Sequence, residues 1–326
     1  MFIARYSALI ASLTVCTSLA FGETVGSAWA PGVSESGGWL DANKAHVPYS
    51  WEDAVAVGGA GGANSRTDAN LCWAAQASNM LQYWQNAYLA AGNKISAGTP
   101  NGYTPGRESA TRRQYQIFEH FVGNWTDLGG SAEYGIPWYL TGEFFSAYPT
   151  DWRWSECFGG PESGGFFKNI YPSAGTLSGG DFRLFSFTHQ NTAQTFADIR
   201  GFSNLLINSF ENLEAVVGLN VYLKDADGDE YKHALTAWGC DFDAVGLVTK
   251  IYLTDSDDGE IRLGEFAVET GSDGLYLTDE GGYSARIQDF SMLSVGKFYP
   301  IPEPSVFGLF AGTLVLSFAI FRRRKR

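Results

Sequence analysis

The spacing of apolar and polar positions changes character along this chain. In residues 68–84, DANLCWAAQASNMLQYW, the residues Trp73, Ala77, Met80, Leu81 and Trp84 recur at helical intervals, which predicts a helix with one apolar stripe. Asp68 and Asn70 stand just ahead of it as N-cap candidates. Residues 115–121 and 196–214 also read as helical, the second clearly amphipathic. Beyond 214 the period shortens towards two. Residues 215–223, 233–242 and 247–255 predict strands, the last two joined as an antiparallel hairpin by a turn at Asp243–Gly246. FAVET (266–270) and GLYLT (274–278) predict further short strands. Between 87 and 195, glycine, proline and aromatics alternate with few long periodic runs, so loops and short strands are expected there. Residues 23–38 read as a loose polar leader. Residues 54–64 form a glycine-rich loop without the Lys-Ser/Thr ending of a phosphate-binding loop. No internal repeat is visible. The pattern predicts an α+β domain, a helical N-terminal part followed by an antiparallel sheet.

Both ends depart from that pattern. Met1–Gly22 holds one early cation, Arg5, then an uncharged apolar run from Tyr6 to Ala20, with small residues at Ser18, Ala20 and Gly22. This is the form of a secretory signal peptide. At the other end Ser305–Phe321 is 17 residues without a charge, at the lower limit of ~17–25 residues for a membrane-spanning helix. Arg322, Arg323, Arg324, Lys325 and Arg326 follow at once, which predicts a cytoplasmic C-terminus. The triplet Pro302-Glu303-Pro304, the apolar span and the basic cluster together resemble the PEP-CTERM sorting signal of Gram-negative bacteria. That resemblance implies recognition by an exosortase, a transient or retained membrane anchor, and delivery to the cell surface, outer envelope or extracellular matrix. Residues 23–300 are then the expected functional domain.

The 326-residue chain carries a formal charge of −13. Setting aside the one cation of residues 1–22 and the five of residues 305–326 takes the remainder to −19. A domain this acidic does not hold nucleic acid by neutralising phosphates. The ten tryptophans are expected to fill the core. DADGDE (225–230) fails as a calcium loop, because the sixth and twelfth positions counted from Asp225 are Glu230 and Thr236 rather than Gly and Glu. No metal and no cofactor are expected. Of four cysteines, Cys16 lies in the signal segment, leaving Cys72, Cys157 and Cys240. Three thiols in an exported protein are no disulfide scaffold, and whether Cys157 and Cys240 pair is left open.

Cys72 opens the predicted helix, where the partial positive charge of the helix end favours a thiolate. A nucleophilic thiol also needs a base, to be found among His46, His120, His189 and His233. His233 opens a predicted strand whose neighbour carries Asp255, an acid able to fix the imidazole's tautomer.

The segments GGWLDANK (37–44), DANLCWAAQASNMLQYW (68–84) and HALTAWGCDFDAVGLVTKIYLTDSDD (233–258) resemble the IdeS/Mac family of immunoglobulin-degrading cysteine peptidases. The 22-residue step from His233 to Asp255 agrees with the family spacing. The resemblance implies a papain-like fold with Cys72 as nucleophile, His233 as general base and Asp255 as its orienter. It also implies Lys44 as an oxyanion-hole cation and Asp257 as a second acid close to the site. Lys44 lies further from Cys72 than in the family's well-known members, with the glycine-rich insert between them. Little in residues 87–215 matches, so the resemblance implies a protein or peptide substrate but does not support immunoglobulin. A transglutaminase-like or cell-wall amidase, and an inert surface protein, remain the alternatives.

Overall fold

The structure is a computed structural model. It describes residues 24–44, 68, 70–108, 113–127, 130–144, 157–177, 185–188, 198–224, 228, 230–257 and 260–295. The signal-like segment 1–22, the glycine-rich loop 54–64, most of the DADGDE turn, His46, His189 and the C-terminal span 305–321 lie outside these residues. Among the described residues no helix is long and apolar enough to cross a membrane.

The first element is a strand, β1 (Thr24–Trp29), where a loose leader was expected. Its small residues conceal it: Gly26 lies against the Phe242 ring and Ala28 is buried. Helix α1 (Cys72–Ala90) begins at Cys72 itself. Strands β2 (Tyr103–Glu108) and β3 (Arg113–Tyr115) pair with each other and lead into α2 (Gln116–Asn124). Helix α3 (Ala132–Thr141) lies where loops were expected, because Gly135 and Pro137 lower its helix propensity. Its ends nonetheless carry ordinary signals. Ser131 accepts from the Glu133 N–H, and Gly142 closes the helix at φ 77°. Strand β4 (Phe185–Thr188) and the amphipathic α4 (Ile199–Glu211) follow.

The remaining strands are β5 (Ala215–Lys224), β6 (Glu230–Asp243), β7 (Val248–Asp255), β8 (Gly264–Thr270), β9 (Leu275–Thr278) and β10 (Ser284–Ser294). They pair antiparallel in the order β6-β5-β10-β9-β8-β7, and β7 returns to β6, closing a six-stranded barrel. β1 runs along the far half of β6, and β4 along β10. The register threads one face through the ring. Leu235 opposes Leu219, Val221 opposes Ile287, Ala285 opposes Leu277, and Leu277 opposes Val268. All are buried, so this face is the barrel's interior. His233, opposite Val221, and Asp255, opposite Leu235, stand on that same face.

Helix α1 packs on the other face of β5, β6 and β10 and is covered on its far side by α2 and α3. Trp73 meets the rings of Phe121 and Trp125 at 5.6 and 5.1 Å. A Cβ at Gly135 would come within 2.7 Å of the Trp73 ring, so only glycine allows that approach. The predicted single apolar stripe is a correction: every residue from Trp73 to Gln85 is buried. Gln76, Asn79, Gln82 and Gln85 survive burial because each meets a partner across an interface. Gln76 donates to the carbonyls of Leu219 and Leu235 at 3.1 and 2.7 Å, and the Tyr139 hydroxyl donates to Gln85 at 2.8 Å.

Candidate active site

Five groups meet where α1 begins. Cys72 occupies the first helical position, so its N–H and that of Trp73 precede the helix's own ladder, which starts with Ala74 and Ala75 donating to Leu71. The N-cap is Leu71, without a side-chain cap, rather than Asp68 or Asn70. The Asn70 backbone N–H instead donates to Asp127 Oδ1 at 2.6 Å.

His233 lies on β6, 4% exposed. Its Nε2 donates to Asp255 Oδ1 at 2.7 Å, and the Cys72 thiol is close enough to help raise the ring's pKa. Asp255 ends β7, and its Oδ1 also accepts the Asp257 N–H at 2.9 Å. Asp257 Oδ1 receives Lys44 Nζ at 2.8 Å and the Ser256 hydroxyl at 3.0 Å, while Oδ2 stands 3.7 Å from Nδ1 of His233.

Lys44 is 1% exposed, unusual for a lysine. The segment that delivers it is tied at every residue. Leu40 O accepts from Thr254, Asp41 Oδ2 accepts from the Arg262 N–H, and the Ala42 N–H donates to Asn79. Asn43 donates to Glu260 O, and the Lys44 N–H donates to Ser256 O at 3.1 Å. Asn79 also donates to Thr236 on β6, so one amide on α1 holds both the Lys44 segment and the His233 strand.

Charges set the protonation of this cluster. Burial opposes a proton on His233, but Asp255 and Asp257 outweigh it and hold the imidazole well above its ordinary 6.5. Burial works against Asp255 ionising, but His233 more than compensates and leaves the carboxyl below 3.8. For Lys44, burial is overcome by Asp257 and by the Cys72 sulfur, so it stays charged. Tyr283 borders the acids. Burial and the charges of Asp255 and Asp257 push its hydroxyl far above 10.

The other thiols and the one other described histidine lie apart. Cys157 and Cys240 are buried and unpaired, and burial pushes each to about 12. His120 stacks on Trp138 and donates from Nε2 to the Ser163 carbonyl, an internal packing role. Sequence reasoning passed over Asn79 and Ser256. Asn79 carried a signal in its place one turn beyond Gln76, inside a helix with few charges.

No family model matches the chain. Over 214 residues, 60% of its length, it is 24% identical to the IgM protease of Streptococcus suis (strain P1/7). The matched region covers 17% of that protein, so the chain spans only a small part of its relative.

Proposed function

We propose that the chain is an exported cysteine endopeptidase of IdeS/Mac type, papain-like in arrangement, cutting protein substrates through Cys72, His233 and Asp255. The relative's description as a protease supports peptidase activity; immunoglobulin M is named for that protein and need not be the substrate here. One observation carries the cysteine-type reading. The His233 ring is gripped by Asp255 at Nε2, and the Cys72 sulfur at a helix start is close enough to help it keep its proton.

Cys72, as thiolate, attacks the scissile carbonyl carbon. Negative charge moves to the carbonyl oxygen, where the Cys72 N–H and the Lys44 ammonium stabilise it; one such donor is worth ~10²–10³ in turnover. The tetrahedral intermediate collapses as His233 gives its proton to the leaving amine, forming a thioester. His233, now neutral, takes a proton from water, which attacks the thioester and releases the acid and the thiolate. Asp255 holds the ring's tautomer throughout. The signal-like and PEP-CTERM-like ends support export and exosortase sorting.

The test is labelling with a thiol-directed epoxide at pH 7, alongside casein cleavage. Labelling of Cys72 that falls at least tenfold in His233→Ala, with cleavage lost in Cys72→Ala, is the expected result. Cleavage surviving in Cys72→Ala overturns the assignment. Cross-linking of glutamine with intact casein replaces it by a transglutaminase-type activity.

A further inference from the structure

Helix α1 starts without a side-chain cap, since its N-cap, Leu71, is a buried apolar residue. The turn ahead of Cys72 is held from elsewhere in the chain. Asp127, 4% exposed in the connection from α2 to α3, accepts the Asn70 backbone N–H on Oδ1 at 2.6 Å. Its backbone carbonyl accepts from Asn70 Nδ2 at 3.2 Å, so Asn70 is gripped through main chain and side chain at once. A main-chain N–H on a carboxylate makes a short, strong bond. The same connection fastens the residue after the thiol. The Trp125 ring lies 5.1 Å from that of Trp73, and a Cβ at Gly130 would run into the Trp73 indole. Residues on both sides of Cys72 are therefore fixed by Trp125, Asp127 and Gly130. A cap side chain on residue 71 would hold the turn differently, by accepting from the second or third N–H of the helix. That would set an acceptor oxygen beside the Cys72 N–H, where a developing oxyanion needs donors. Gripping the chain at Asn70 puts the acceptor outside the helix instead.

We propose that Asp127 is a positioning residue for the nucleophile. Through Asn70 it fixes the turn from which Cys72 and its N–H project, in place of a helix cap that would crowd the oxyanion. The effect on turnover rests on the peptidase reading; the clamp itself does not. What the clamp needs at position 127 is an acceptor rather than a charge. Asp127→Asn keeps an acceptor there, whereas Asp127→Ala has none. Asn70→Ala keeps the main-chain bond and loses only the one from Nδ2.

The experiment compares the full-length chain with these three variants. Circular dichroism establishes that each folds, and a thiol-directed epoxide counts competent Cys72, so that kcat for casein cleavage is expressed per titrated thiol. In Asp127→Ala kcat should fall roughly 10²-fold, the penalty for about an ångström of misplacement, with KM within about twofold of the parent. Asp127→Asn should recover most of that loss, and Asn70→Ala should lie between the two. Amide hydrogen exchange across residues 68–75, read by mass spectrometry, should speed up about tenfold in Asp127→Ala and stay at the parental rate in Asp127→Asn. An unchanged kcat per thiol in Asp127→Ala, or an Asp127→Asn as slow as Asp127→Ala, overturns the proposal and leaves the peptidase reading intact. If Asp127→Ala does not fold, a parental kcat in Asn70→Ala overturns it just the same. A parent chain that cleaves nothing refutes the peptidase reading, and exchange alone then decides the clamp. Acceleration in Asp127→Ala upholds it; equal exchange overturns it.

Discussion

At the scale of single residues, the site depends on charges held out of water in pairs. The raised pKa of His233 has a definite sign. The ring keeps its proton up to a pH well above 6.5, so the alkaline limb of kcat/KM is expected well above neutrality. Asp255→Asn removes the first of the two charges holding that proton, and the alkaline limb should move to lower pH, read from a pH–rate profile. Lys44→Met tests the oxyanion role: kcat should fall ~10²–10³ with KM changed far less. Mass spectrometry after brief iodoacetamide treatment of native protein should find Cys72 alkylated, with Cys157 and Cys240 intact. Cys72, His233, Asp255, Lys44 and Asp257 were picked out in the sequence by motifs that resemble a known family, and the structure brings His233, Asp255, Asp257 and Lys44 into contact. Asn79 was not, since an amide within a helical pattern reads as solvent-facing until the opposite surface is known.

At the scale of elements, the polar face of α1 is an interface. Asn79 accepts from Ala42 at 2.9 Å and donates to Thr236 at 3.2 Å, joining three separate pieces of chain. Asn79→Ala leaves both partners buried and unmatched, at a cost of ~1–3 kcal/mol for each stranded group. Denaturant titration should show that loss, and Asn79→Asp, which retains the acceptor, should recover part of it. The helices and the β6–β7 hairpin followed from periodicity. α3 escaped because Pro137 and Gly135 mask it, and β1 because a strand of small residues has little alternation to read. Both are held by tertiary contacts, β1 along β6 and α3 against Trp73, rather than by local preference.

At the scale of the molecule, closure of the barrel was invisible in the sequence. It depends on β10 returning to pair with β5, a long-range pairing that no local pattern encodes. The β6–β7 hairpin carries His233 and Asp255 at neighbouring register positions, so their pairing is built into that hairpin. Asp255 is below its unfolded value, so its contribution to stability is present above pH 3.8 and fades as pH falls through the lower folded value. Acid unfolding followed by circular dichroism should therefore be less steep below pH 3.8 in Asp255→Asn than in the parent protein.

Lys44 is fastened by the hydrogen bonds of residues 40–44 to β7, to residues 256–262 and to α1, the helix that carries Cys72. Among the described residues, the hydrogen bonds that hold the Lys44 segment are made outside the stretch that separates it from Cys72. Doubling a flexible connection costs only about 0.6 kcal/mol. A fluorescent reporter or an affinity domain could accordingly be spliced between these two anchors, giving a tagged catalyst with unchanged turnover.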